Sequence, residues 1–241
     1  MNKKSTICYI LHTRPFKETS LILNLFSQQY GRFSLLAKGV KRKNAQAKRA
    51  ILQPFNLLEI EYVGRSELKI LSNVELKKSI SESAPSSLIN RALACGYYLN
   101  ELLMRSLQEW QEFERLFDVY DKSLTALKCG SDYSAILRRF EVSLLEELGV
   151  APQWQVDVKG EPICNKKRYH FNPEQGFEII EKNSESKYLY EHNSGFCGDA
   201  ILSLGLGQYK PEVTKNCQQI TQMMLREIIG DKPLESRKLW L

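Results

Sequence analysis

Six lysine and arginine side chains fall within twelve consecutive positions of the stretch AKGVKRKNAQAKRA, which covers residues 37–50. The stretch contains no aspartate or glutamate. Cations at this density can neutralise a row of phosphates and release the counterions that surround a polyanion. The alternative is a solvated loop whose charges keep a sheet edge from aggregating. The six cations are Lys38, Lys41, Arg42, Lys43, Lys48 and Arg49.

The distribution of charge along the chain favours the polyanion hypothesis. Residues 1–80 contain 15 Lys and Arg against 5 Asp and Glu, a net charge of +10, while residues 81–241 contain 19 against 23, a net charge of −4. The positive field therefore belongs to the N-terminal third of the chain. A charge asymmetry of this kind predicts nucleic acid as the partner of one domain.

Composition indicates a globular intracellular protein. The apolar fraction of 43% is sufficient for a buried core, and no apolar run approaches the roughly 20 residues of a membrane-spanning helix. The N-terminal stretch predicts a strand, because His12 and Arg14 interrupt it before it could form a signal peptide. Six scattered cysteines without any CxxC pair predict free thiols. We expect a cytoplasmic protein with no disulfide framework.

Motifs with known catalytic mechanics are missing from the sequence. It contains no GxSxG, P-loop or HExxH pattern, and only three histidines. We therefore expect no catalytic residues and no cofactor, and we keep a nucleic-acid-processing enzyme of unrecognised mechanism as the alternative function. A zinc site built from Cys164, His170, His192 and Cys197 is disfavoured, because structural zinc takes ligands in closer pairs than these.

The N-terminal third has the alternating pattern of short β-strands. Five stretches between residues 6 and 76 are rich in Ile, Leu, Phe, Val and Tyr and are separated by turn residues, including a hairpin turn at VGRSE, residues 63–67. Five strands in this length predict a small barrel, of the oligonucleotide-binding (OB) or SH3-like type. Aromatic residues Phe16, Tyr30 and Phe33 could stack on bases. The barrel adds five cations to the basic stretch: Arg14, Lys17, Arg32, Arg65 and Lys69.

After a polar Ser/Pro stretch at residues 81–87 the apolar period changes from 2 to 3.6. At least three helices are predicted between residues 88 and 148, and further helices follow residue 194. Residues 153–193 lose both periods and predict a loop-rich subdomain with one or two short strands. We divide the chain into a nucleic-acid-binding barrel, a helical domain, an irregular subdomain and C-terminal helices that pack on the helical domain, at residues 1–80, 81–152, 153–193 and 194–241.

Five stretches of the chain carry motifs in a fixed order. The N-terminal ones are LHTRPFKETSLILNLFSQQYGRFSLLAKGVKR and LQPFNLLEIEYVGRSELKIL. The later ones are YYLNELLMR at residues 97–105, LRRFE at residues 137–141 and GDKPLESRKLW at residues 230–240. In this order they resemble the RecO family of bacterial recombination mediators. The resemblance runs nearly from end to end of the chain, and the ordered set is far more specific than any single motif.

The resemblance implies an α+β protein with an N-terminal five-stranded OB-fold barrel and a mainly α-helical remainder. It implies a mediator of DNA repair that binds single- and double-stranded DNA and does no covalent chemistry. Members anneal complementary strands coated by the single-strand-binding protein SSB, and with RecR they help RecA to load on gapped DNA. We expect a cytoplasmic, nucleoid-associated monomer with no membrane contact.

Two further expectations depend on the family. Many relatives carry a four-cysteine zinc site in the irregular subdomain, but EPICNKKRYHF retains only Cys164, so we expect a zinc-ribbon-like subdomain without metal. The LRRFE helix implies a site for the acidic, apolar-ended SSB tail, formed by Leu137, Arg138, Arg139 and Phe140. We favour Arg138 over Arg139 for the tail carboxylate; alternatively, both arginines only pair with Glu141 or neighbouring acids.

Overall fold

The computed structural model describes residues 3–64, 66, 68–77, 87–130, 132–180 and 195–240. The chain divides into two compact units. The first comprises Met1–Tyr133 together with Lys232–Leu241, and the second comprises Ser134–Asp231. Each unit contains its own packed elements.

The first unit begins with a closed five-stranded barrel in the order β1-β2-β3-β5-β4. All neighbouring strands are antiparallel except β3 and β5, which are parallel. This arrangement confirms the predicted OB fold. The strands are β1 (Lys4–Phe16), β2 (Ser20–Ser27), β3 (Gly31–Ala37), β4 (Leu57–Val63) and β5 (Lys69–Leu76). Between β4 and β5, Gly64 has φ +125° at the predicted turn.

The alternation of side chains along the strands builds the barrel interior. In β3 every second residue is buried, while Arg32, Ser34 and Leu36 face outward. Within the first unit, one cluster of buried residues fills the barrel: Cys8, Ile10, Leu23, Leu25, Phe33, Leu35, Ala37, Val40, Leu52, Leu58, Ile60, Tyr62 and Leu71. Between β3 and β4 the chain forms a 3₁₀ turn, Lys43–Ala45, and the short helix α1, Gln46–Ile51.

Two long helices of the first unit, α2 (Asn90–Ser106) and α3 (Glu114–Lys128), pack on the barrel. The rings of Tyr9 and Phe26 contact those of Phe117 and Tyr120, with centroids 5.2–5.9 Å apart. Buried Asn100 donates its amide N–H to the Leu11 carbonyl across 2.8 Å, and the Tyr120 hydroxyl donates to Asn100 Oδ1. Tyr9 donates its hydroxyl to Asp121. These hydrogen bonds fix the orientation of α2 and α3, and the aromatic contacts hold α3 on the barrel.

The second unit contains α4 (Tyr133–Glu147, whose first residue belongs to the first unit), a small sheet, α5 (Gly198–Leu206), a 3₁₀ turn at Pro211–Val213 and α6 (Thr214–Ile229). The sheet has the order β7-β6-β8, from β6 (Arg168–Asn172), β7 (Gly176–Ile179) and β8 (Phe196–Cys197). The predicted irregular subdomain thus contributes two antiparallel strands within its described residues.

The compact units do not follow the four predicted segments. Helices α2 and α3 lie in the predicted helical domain but pack on the barrel, because their aromatic and apolar faces bury the outer surface of β1 and β2. The last 3₁₀ turn, Glu235–Trp240, also packs on α2. The division into four segments stays a prediction. Among the described residues, no helix is both long and apolar enough to cross a bilayer.

Candidate nucleic-acid interface

The connection between β3 and β4 carries the dense basic stretch and is anchored at both ends. Val40 and Leu52 are buried in the barrel core at 0% and 1% exposure. Helix α1 between them has no buried residue. Because the apolar anchors take up the inward positions, the side chains of Lys41, Arg42 and Arg49 are exposed and that of Lys48 is half-buried. The connection therefore presents the charges of Lys41, Arg42 and Arg49 to solvent.

A backbone contact joins this connection to the β1–β2 turn. The Lys41 N–H donates to the Thr19 carbonyl across 3.0 Å. Gly39 has φ +70°, a value that favours glycine, and this allows the chain to turn back toward Thr19. The Arg42 side chain lies against Gly39, with Nε 3.7 Å from where a Cβ would be. Exposed Lys17 in the β1–β2 turn is thus brought beside the basic connection.

We call this surface the basic end of the barrel. β1 ends and β2 begins at this surface. Exposed Arg14 lies near the end of β1, opposite Ile22 of β2. Glu18, exposed in the β1–β2 turn, is the one acid between residues 5 and 58 of the sequence, so the cations of this surface outnumber the acids. The described side chains of the basic end are Arg14, Lys17, Lys38, Lys41, Arg42, Lys48 and Arg49. Lys43 lies in the 3₁₀ turn of the same connection.

Two predicted contacts, Arg32 and Lys69, are separate from the basic end. The Arg32 guanidinium donates to the Leu107 carbonyl at 2.9 Å and to Glu109 Oε1 at 3.1 Å. The Lys69 ammonium lies 3.6 Å from the centroid of the Trp110 ring. Burial, and to a lesser degree the charge of Lys4, lower the pKa of Lys69. Both cations are therefore occupied by the segment that joins α2 to α3. Predicted residue Arg65 lies outside the described residues.

The predicted aromatic residues also divide between two places. Phe16 is half-buried near the basic end, with Lys17 Nζ 5.6 Å from its ring centroid. Tyr30 and Phe33 instead pack around Trp110, and Phe33 is fully buried. Sequence reasoning missed Glu109 and Trp110. No signal in the sequence pointed to them; the structure shows the close approach at Gly31, where a Cβ would lie 1.7 Å from the Gln111 carbonyl oxygen.

In the second unit, the LRRFE helix does not present the four predicted residues together. Leu137 and Phe140 are core residues at 6% and 0% exposure. Arg138 is 3% exposed and forms a bidentate ion pair with fully buried Glu141, with Nε 2.6 Å from Oε2. This is the arrangement that the alternative interpretation described for Arg138. The preference for Arg138 as the tail-binding arginine therefore does not fit its burial, because docking would leave Glu141 without its cation.

Arg139 is exposed on the same helix. Burial raises the pKa of Tyr209 to about 12, and the positive charges of Arg139 and, more weakly, Arg138 act on it in the opposite direction. The residues on either side of Tyr209, Gln208 and Lys210, line a recess of about 280 Å³ that has apolar side chains, such as Leu202 and Leu206, and polar ones, such as Asp199. An exposed guanidinium can bind the carboxylate of a peptide.

The potential zinc ligands were also located. Cys164, Cys197 and His170 lie in the small-sheet region and are half-buried, while His192 lies outside the described residues. No cluster of three His, Cys, Asp or Glu side chains with metal-binding geometry occurs within the parts of the chain that the structure describes. The absence of zinc stays a prediction.

Comparisons with known proteins cover both units. Residues 1–80 match the family model described as Recombination protein O N terminal, and residues 90–238 match Recombination protein O C terminal. The chain is 37% identical over 243 residues to the DNA repair protein RecO of Alteromonas mediterranea, covering 100% of this chain and 98% of that protein. It is 37% identical to the Nitrosospira multiformis protein of the same name, covering 96% and 92% of the two chains.

A third relative, DNA repair protein RecO of Cellvibrio japonicus, is 34% identical over 234 residues, covering 96% of this chain and 94% of that protein. The two family models together match most of the chain, and the relatives match it over nearly their full length. These matches agree with the OB barrel and with the helical region that follows it. The chain belongs to the RecO family of DNA repair and recombination proteins.

Proposed function

We propose that this protein is a recombination mediator that binds single- and double-stranded DNA and anneals complementary strands coated with SSB. The observation that carries the proposal is the basic end, where a backbone bond from Lys41 to Thr19 joins two basic turns of the barrel. Cations on a rigid barrel can neutralise phosphates of two strands at once, which lowers the repulsion that opposes annealing. Binding depends little on sequence, because phosphate contacts carry no base information.

We assign the binding of the SSB tail, which would recruit the protein to SSB-coated DNA, to the second unit. Arg139 binds the terminal carboxylate of the SSB tail, and an apolar side chain of the tail enters the recess beside Tyr209. The exposure of Arg139 supports this assignment over one that uses Arg138, which is buried and paired with Glu141. With RecR, the protein promotes RecA loading on gapped DNA, as the family resemblance implies. It acts as a monomer in the cytoplasm, associated with the nucleoid, without catalysing a covalent step.

Annealing of two complementary oligonucleotides, each coated with SSB, tests this function directly. The protein is added without nucleotide or divalent metal, and duplex formation is followed by energy transfer between labels on the two strands. We expect the protein to accelerate annealing and to lose this effect as salt rises. No acceleration at low salt would contradict the proposal. Cleavage or modification of either strand, seen on a denaturing gel, would instead support the alternative of a processing enzyme.

A further inference from the structure

Part of the β3 edge is covered by the chain itself. Strand β5 pairs with β3 only at Leu35 and Leu36, so the earlier residues of β3 have no partner in β5. Residues 107–111, the plug segment, lie along this edge. Glu109 forms a parallel bridge with Arg32, and the Trp110 N–H donates to the Arg32 carbonyl across 2.8 Å. The missing side chain of Gly31 lets the Gln111 backbone pass.

The acid of the plug segment occupies a site with the donors of a phosphate site. The Glu109 carboxylate accepts from the Arg32 guanidinium at 3.1 Å, and Ser34 Oγ lies 3.0 Å from the same oxygen. Arg32 and Ser34 both point to the outer face of β3. Guanidinium and hydroxyl groups are also the donors that proteins use for phosphate oxygens. The Glu109 carboxylate thus occupies the position that a phosphate of a bound strand would take on Arg32 and Ser34.

The Trp110 ring of the plug segment contacts an aromatic ring and a cation, the two groups that proteins use to bind a base of a single strand. Trp110 packs on Phe33, with centroids 4.9 Å apart and planes at 37°, and the Lys69 ammonium lies 3.6 Å from its centroid. Aromatic stacking combined with a cation is sequence-tolerant recognition of a nucleobase. Trp110 is still 37% exposed and has φ +62°, a value unfavourable for a residue other than glycine. Trp110 is therefore held in a strained backbone conformation, by these contacts and by those of its ring with Tyr30 and Tyr62.

We propose that the plug segment occupies a nucleotide subsite of the barrel, with Glu109 in the place of a phosphate and Trp110 in the place of a base. A nucleotide of single-stranded nucleic acid displaces it, placing its phosphate on Arg32 and Ser34 and its base between Phe33 and Lys69. OB folds bind oligonucleotides at β2 and β3; Arg32, Phe33 and Ser34 belong to β3, and Lys69 begins the neighbouring strand β5. This inference rests on the proposed DNA-binding function and adds a second subsite, away from the basic end.

The test compares Glu109→Gln with Glu112→Gln. Both changes remove one negative charge from the connection between α2 and α3, but Glu112 lies just outside the plug segment, and its exposed side chain has no bonded partner among the described residues. Only Glu109→Gln weakens the hold on Arg32. Fluorescence anisotropy with a labelled single-stranded oligonucleotide should show tighter binding for Glu109→Gln, by up to about fivefold. The slope of log affinity against log salt should also steepen by about 0.7 for the added phosphate.

The same experiment in an Arg32→Gln background isolates the subsite. In that background Glu109→Gln should not tighten oligonucleotide binding, because the Arg32 guanidinium that the change would release is absent. Circular dichroism and thermal melting establish that each variant is folded. Equal affinities for Glu109→Gln and Glu112→Gln would overturn the inference, as would an equal gain with and without Arg32. If the unaltered protein itself bound no oligonucleotide, the proposed function would fail, which is a separate result from failure of the subsite.

Discussion

Glu101 in the middle of α2 binds Ser236, which lies 135 residues later in the chain. Its carboxylate accepts from the Ser236 N–H at 2.8 Å, from the Ser236 hydroxyl at 2.7 Å and from the Glu235 N–H at 2.9 Å. The carboxylate thereby caps the N-terminal end of the last 3₁₀ turn. The stretches YYLNELLMR and GDKPLESRKLW, which both carry the family resemblance, are thus joined by one contact within the first unit.

Glu101→Gln should destabilise the first unit by about 1 to 2 kcal/mol, because it replaces charge-assisted bonds by neutral ones. Partial burial opposes ionisation of Glu101, but its bonds to Ser236 and Glu235 and the nearby charge of Arg105 outweigh it and lower its pKa. The stabilisation is therefore fully present above the ordinary glutamate pKa of roughly 4.3 and is lost as pH falls through the lower folded-state pKa. Thermal melting between pH 7 and 3 should show the difference from wild type narrowing at the acid end. A constant difference would contradict this role.

Asn100→Ala should destabilise the first unit by about 2 to 4 kcal/mol, because the Leu11 carbonyl and the Tyr120 hydroxyl both lose a buried partner. Urea unfolding followed by circular dichroism measures the change. Asn73→Ala is the control, since the Asn73 amide bonds only exposed Glu75 among the described contacts, and its effect should stay within about 0.5 kcal/mol. Similar effects of the two variants would show that the α2 contact does not hold the helices on the barrel.

Replacing Lys41, Arg42 and Lys43 together with Glu should weaken DNA binding while the protein still folds, because the connection is anchored by Val40 and Leu52. If each cation neutralises one phosphate of a duplex, the salt slope should fall by up to about three times 0.9. The matched control replaces Lys159, Lys166 and Lys167, which are exposed in the second unit, by Glu. Anisotropy titrations at several salt concentrations compare the two. Equal losses would mean that overall charge, and not the basic end, determines binding.

Arg139→Ala should weaken binding of an SSB-tail peptide by about 1.5 to 3 kcal/mol, roughly tenfold or more, and leave binding of bare oligonucleotides nearly intact. Arg138→Ala is unsuited to this test, because it leaves Glu141 buried without its cation and should cost about 3 to 5 kcal/mol of stability. Anisotropy with a labelled tail peptide measures the first effect, and thermal melting measures the second. Unchanged peptide affinity of a folded Arg139→Ala protein would place the tail site elsewhere.

Purified protein should contain no stoichiometric zinc, because only Cys164 remains of the four-cysteine pattern of many relatives. A chelator should then also leave the melting temperature unchanged, because a structural metal would contribute to folding and its removal would lower that temperature. Elemental analysis of the dialysed protein checks the first expectation. One tightly held zinc per chain would contradict it and would require ligands beyond Cys164.

The sequence by itself determined the barrel and the charge on its surface. Strand alternation is a local property, because side chains point to opposite faces with period two, so the buried positions of β3 could be predicted from their neighbours. The concentration of cations in residues 38–49 is likewise local, and the apolar residues Val40 and Leu52 at its borders fix it to the core. Motifs in a single order were enough to predict the family.

Only the tertiary structure decided which cations are accessible. Arg138 and Arg139 are adjacent and chemically identical, yet their side chains point about 100° apart on a helix, so one is buried against Glu141 and the other is exposed. Arg32 belongs to the same basic third as Lys41, but residues more than 70 positions away occupy its guanidinium. Sequence patterns report the spacing of near neighbours. The partners of Arg32 are brought to it by the segment that follows α2, and those of Glu101 by the packing of the last 3₁₀ turn on α2; no local pattern encodes either contact.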